Sequence, residues 1–86
     1  VIGVLNELAS KGILIFPNPV EHELNVNLEA TGYNKMMLID NVGKVVRSKA
    51  LNIGQNVLLV GELAAGIYTL QIIGSAGSLE YKVVVQ

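Results

Sequence analysis

Cysteine is absent from this 86-residue chain, and so is tryptophan. Without cysteine there are no disulfides, thiolate metal sites or cysteine nucleophiles, so a core must be held by aliphatic burial, or with help from a larger parent protein. Charge is scarce as well. Charged residues make up 15% of the chain, and six basic against seven acidic residues leave a net charge of -1. That balance provides no positive field to hold phosphates and argues against nucleic acid as a partner. Long hydrophobic runs are missing too. Stretches such as Val57 to Val60 and Val83 to Val85 fall far short of the roughly 18 to 20 residues that span a bilayer, so the chain is not membrane-spanning as a helix. Residues 1 to 20 show no basic segment followed by a long apolar one, and the first residue is Val1. The start reads neither as a signal peptide nor as a clear translation start, and we expect a piece excised from a longer chain.

What the chain does have is aliphatic bulk: twelve Val, eight Ile and twelve Leu against three Tyr and one Phe. Such a mixture favours strands over solvent-facing helices. With 51% hydrophobic residues and almost no net charge, disorder is excluded. The length suits one compact domain and not two. Residues 1 to 12 read as a linker or lead-in, with Ala9-Ser10-Lys11-Gly12 as its connector, and residues 13 to 86 as the domain. From Ile13 onward, short apolar stretches alternate with turn residues at intervals of about 8 to 12, the pattern of an antiparallel sandwich or barrel. Seven strands are expected, at 13–16, 23–28, 35–39, 45–51, 55–59, 66–73 and 78–85. Leu24, Val26 and Leu28 share one face of the second strand, and Glu23, Asn25 and Asn27 the other, as a half-buried strand requires. In the sixth, Ile67, Thr69, Gln71 and Ile73 form a second face too apolar to be freely solvated, which calls for a covering neighbour or partner.

Turn chemistry sets the joints. Pro17 and Pro19 fix φ and push Phe16 and Asn18 to extended backbone, so Pro-Asn-Pro ends the first strand and redirects the chain. Asp40-Asn41-Val42-Gly43 has the residues of a type I turn closed at positive φ. Gly74-Ser75-Ala76-Gly77 closes the last hairpin, and Gly54 separates the fourth and fifth strands. Leu63-Ala64-Ala65-Gly66 reads as a tight crossover where a glycine lets backbone approach the sheet.

Candidate chemistry is thin. His22, the only histidine, lies between Glu21 and Glu23, but neighbours on extended chain point to opposite faces and do not converge on a metal or a proton. Ser10, Ser48, Ser75 and Ser78 lack a nucleophile elbow, and Asp40 belongs to a turn. No glycine opens a helix after a strand, as a phosphate loop needs. The chain is therefore read as no enzyme, with no cofactor and no metal. Tyr33, Tyr68 and Tyr81 would make a sugar-stacking platform only if coplanar and exposed; Tyr68 shares a face with Leu70 and Ile72 and is read as core.

An ordered series of motifs says more: Phe16-Pro17-Asn18-Pro19-Val20, Leu24 in its alternating strand, Asp40-Asn41-Val42-Gly43-Lys44, Leu63-Ala64-Ala65-Gly66-Ile67-Tyr68, and Lys82-Val83-Val84-Val85-Gln86. Each is common alone. In this order and spacing they resemble the type A C-terminal sorting domains of the type IX (Por) secretion system, found on exported proteins of Bacteroidetes. The likeness runs from Ile13 to Gln86. It implies an all-β, Ig-like antiparallel sandwich of about seven strands that acts as a secretion signal at the end of a cargo protein. The translocon would recognise the folded domain, the cargo would pass through the periplasm to the cell surface or medium, and a sortase-like outer-membrane peptidase would then commonly remove the signal. Cargo is either released or joined to an anionic lipopolysaccharide. Carried over by position, Pro17, Asn18, Pro19 and Val20 match the first motif, Gly43 the second, Gly66 and Tyr68 the third, and Lys82, Val83, Val84, Val85 and Gln86 the terminal segment expected to contact the machinery. The same residues also serve the fold, through the dihedrals that Pro and Gly supply. Met36, Met37 and Gln86 depart from the usual pattern, which leaves the terminal contacts open. A terminal edge strand offers backbone groups that a receptor can extend, so strand addition is one recognition mode. The alternative is an accessory carbohydrate- or protein-binding sandwich of a secreted enzyme, and the apolar faces leave a dimer open.

Overall fold

The computed structural model describes residues 12–86; apart from Gly12, the lead-in reading lies outside the described residues. Seven strands follow in order: β1 (Ile13–Phe16), β2 (Glu23–Leu28), β3 (Lys35–Ile39), β4 (Val45–Ala50), β5 (Gly54–Leu59), β6 (Gly66–Gly74) and β7 (Gly77–Val85). They match the expected strands to within one residue at each end. Every ladder is antiparallel. One sheet has the order β1-β2-β5, the other β4-β3-β6-β7.

Alternation builds the core. Ile13 and Ile15 of β1, Leu24, Val26 and Leu28 of β2, and Leu58 of β5 point inward from the first sheet. They meet Met36 and Leu38 of β3, Tyr68, Leu70 and Ile72 of β6, and Val83 and Val85 of β7. Each fully buried aliphatic side chain is worth roughly 1.5–3 kcal/mol. This aliphatic core supplies the cohesion that cysteines would otherwise bring. Leu51, just past β4, turns back into it.

The arrangement is Ig-like with one switch. A constant-type domain would place the fourth strand beside the fifth, whereas here β4 pairs with β3. The tight turn between them explains this. The Asp40 carboxylate accepts from the N–H groups of Val42 (3.0 Å) and Lys44 (2.9 Å), and the Asp40 carbonyl accepts from Gly43 N–H at 3.1 Å. A turn so short returns the chain into the same sheet. Gly43 has φ 91°, a conformation that L side chains rarely adopt.

Candidate functional site

Two expected motifs far apart in sequence meet at one sheet edge. After β1 the chain leaves its own sheet, and residues 17–20 cross to lie along the outer edge of β7, where Val20 bridges Val85 in parallel. Val20 N–H donates to the Val84 carbonyl and Gln86 N–H donates to the Val20 carbonyl, both at 2.8 Å. Two residues earlier, Asn18 does the same with its side chain: Nδ2 donates to the Lys82 carbonyl (3.1 Å) and Oδ1 accepts from Val84 N–H (3.0 Å). A primary amide has both the donor and the acceptor of a peptide group, so Asn18 prolongs the ladder through its side chain. Four outward backbone groups of β7 and Gln86 are thereby occupied. Val20 is fully buried beneath this strap, while Pro17 and Pro19 lie toward the surface. The Phe16-Pro17 and Asn18-Pro19 peptide bonds are both cis.

Strand geometry divides the terminal motif. Val83 and Val85 point into the core at 0% and 2% exposure. Lys82, Val84 and Gln86 lie on the other face, with Lys82 and Gln86 exposed and Val84 half-buried. A receptor can therefore reach the side chains of three of these five residues without opening the sandwich.

Tyr68 sits early in β6, buried as expected, and its hydroxyl donates to the Ala64 carbonyl at 2.6 Å. This is a tyrosine corner, in which the ring fills the core and the hydroxyl pins the preceding loop. Gly66 differs from expectation. A Cβ there would meet nothing within 4 Å and its φ is not positive, so neither close approach nor dihedral calls for a glycine. The close approach lies instead at Gly74, where a Cβ would collide with the Gly32 carbonyl oxygen. Nothing in the sequence marks Gly74 out from the other hairpin glycines.

The motifs pass over Asn56, although its inward position in an alternating strand is a usable signal. It is buried at 5% exposure, and its amide is fully engaged. Nδ2 donates to the carbonyls of Asn52 (2.8 Å), Gly54 (3.2 Å) and Val26 (3.2 Å), and Oδ1 accepts from Asn52 N–H (3.0 Å). Arg47 and Lys49 of β4 lie outside the motifs as well. Lys49 Nζ donates to the Val57 carbonyl at 2.6 Å, and Arg47 Nε to the Leu59 carbonyl at 3.0 Å.

His22 is exposed, and its backbone carbonyl accepts from Val60 N–H at 2.8 Å. It lines an open cleft of about 710 Å³ with Pro17, Pro19, Glu21, Glu23, Asn25 and Gln86. Among the described residues no group of three His, Asp or Glu could hold a metal ion, and no helix is long and apolar enough to cross a membrane. Tyr33, Tyr68 and Tyr81 all pack against the core, so they form no exposed stacking platform. The outer face of β6 is mixed: Ile67 is 56% exposed, whereas Thr69, Gln71 and Ile73 are half-buried.

No curated protein matches the chain. A family model does, over residues 14–86, and its description is "Secretion system C-terminal sorting domain". That span includes both halves of the strap and terminal-strand assembly, and members of this family are non-catalytic sorting signals for type IX secretion. The chain belongs to the family of secretion system C-terminal sorting domains and is a C-terminal sorting signal for type IX secretion.

Proposed function

We propose that residues 13–86 act as one sorting domain that carries an N-terminal cargo across the outer membrane, and that the element read by the translocon is the strapped end of β7. A sortase-like outer-membrane peptidase then removes the domain, and the cargo reaches the cell surface or medium after transit through the periplasm. The observation that carries this reading is the four-bond strap from Asn18 and Val20 onto Lys82, Val84 and Gln86. It holds the end of the chain in one conformation, so the ordering cost is met on folding and not on recognition. Lys82 and Gln86, exposed on the outer face, would make the side-chain contacts, while Val83 and Val85 hold the segment down from beneath.

The test is a fusion of residues 1–86 to a periplasm-directed reporter in a host with a type IX system. Surface or medium delivery is expected, and periplasmic retention would overturn the reading. Deleting Lys82 to Gln86 is a poor probe, because it also removes two core valines. A Lys82→Ala, Gln86→Ala double variant keeps the core and is expected to cut delivery by about tenfold, on the scale of two lost polar contacts. Delivery equal to the unsubstituted fusion would place the recognition contacts elsewhere.

A further inference from the structure

The strap covers only the C-terminal half of β7. Backbone groups along a strand point alternately to either side, and Lys82, Val84 and Gln86 direct theirs away from β6. The ladder with β6 continues without a register shift down to Gly77, so Ser78 and Glu80 direct their N–H and C=O groups outward as well. Among the described residues β7 has no second neighbour in its sheet.

The other edges carry the devices that keep strand edges from pairing with other chains, among them shortness, bulges and inward-pointing charges. β1 is four residues long and runs into Pro17. The ladder of β4 is broken by a bulge at Leu38/Ile39, and β4 directs Arg47 and Lys49 toward the other sheet; the Val57 and Leu59 carbonyls of β5 are taken by those two cations. Ser78 to Tyr81 has no proline, no bulge and no inward charge, since Leu79 and Tyr81 pack toward the core. The Tyr81 hydroxyl is also buried without a hydrogen-bond partner among the described residues.

We infer that Ser78 to Tyr81 is a docking edge that accepts an extended strand from a component of the secretion machinery, with a basic residue opposite Glu80. A second copy of this chain supplies no cation to Glu80. The antiparallel registers that pair the free residues Ser78 and Glu80 with those of a copy set Glu80 either against Glu80, where like charges are destabilising, or against Ser78, where its charge has no partner. A heterologous strand with Lys or Arg at that place turns the repulsion into attraction. This inference rests on the sorting reading but names a different stretch from the strapped terminus, so the two can fail separately.

The experiment is export of the 1–86 reporter fusion carrying Glu80→Pro. That N–H faces away from β6, so proline removes an outward donor without breaking the internal ladder. With the fold checked by circular dichroism, export is expected to fall about tenfold, whereas Glu80→Ala, which keeps the N–H, stays within about twofold. Should Glu80→Pro not fold, Ser78→Pro removes the next outward donor and carries the same expectation. Glu80→Lys, a reversal on an exposed side chain, is expected to lower export about fivefold. Export by the folded proline variant or by Glu80→Lys equal to the unsubstituted fusion would overturn the docking edge and leave the sorting reading intact. Retention of the unsubstituted fusion itself would overturn the sorting reading first.

Discussion

Between β1 and β7 the sandwich is closed by main chain and one amide, whereas between β5 and β4 it is closed by two cationic side chains. On the first side, Val20 and Asn18 give β7 and Gln86 four hydrogen bonds from a segment whose valine is fully buried. On the second, Arg47 and Lys49 reach the Leu59 and Val57 carbonyls from the surface. A backbone closure fixes position, because its donors and acceptors are spaced by the chain itself. A lysine or arginine closure shields an edge while its long side chain keeps much of its freedom and its hydration. The two sides therefore differ in what they can do. The strapped side holds residues 82–86 in one geometry, and the cationic side occupies two outward carbonyls of β5.

The comparison breaks first at Asn18. Asn18→Ala strips a donor from the Lys82 carbonyl and an acceptor from Val84 N–H, and water can replace part of this at a half-exposed site. A cost of about 1–2 kcal/mol is expected, or a fall in Tm of roughly 5–15 °C for a domain of this size. Asn18→Asp keeps the acceptor and loses the donor, so it separates the two bonds. If thermal melts of Asn18→Ala and the unsubstituted domain coincided, the strap would be a consequence of β7 packing and not a cause of its position.

How much of this is legible in the sequence follows from what alternation and turn residues encode. Leu24, Val26 and Leu28 place β2 because a period of two is a property of one segment. Asp40 and Gly43 place the β3–β4 turn for the same local reason. The strap is not legible, since Asn18 and Val84 are neighbours only through the path of the whole chain. The motif series flags both ends of that contact without showing that they touch. Gly66 and Gly74 fail in opposite directions: a glycine reports room for backbone, and only the fold says which carbonyl, here that of Gly32, takes up that room. Arg47 and Lys49 look like ordinary polar residues of an edge strand until β5 is set beside them.

A smaller effect on stability is expected on the cationic side. Arg47→Met with Lys49→Met keeps most of the aliphatic stem and removes two charged donors from carbonyls that water can reach. The expected loss is about 1 kcal/mol or less, with a clearer change in solubility as the β5 edge loses its guard. Sedimentation velocity at rising concentration measures that change. A double variant that stays monomeric while losing several kcal/mol would mean that these cations hold the sandwich together, and the two sides would no longer differ in kind.

The smallest effect is expected at Glu62. Its carboxylate lies 3.9 Å from Arg47 Nη2, and its side chain is 95% exposed. Such a pair gains little in water, and the charge-assisted bond from Arg47 Nε to the Leu59 carbonyl does not depend on it. Glu62→Ala should change stability by less than about 0.5 kcal/mol, with no added sensitivity to salt. Chemical denaturation at low and high ionic strength reads both quantities. A loss above about 1 kcal/mol that disappears in salt would show that the ion pair orients Arg47, and the closure of the β5 edge would then depend on a surface charge network in place of direct cation-to-carbonyl bonds.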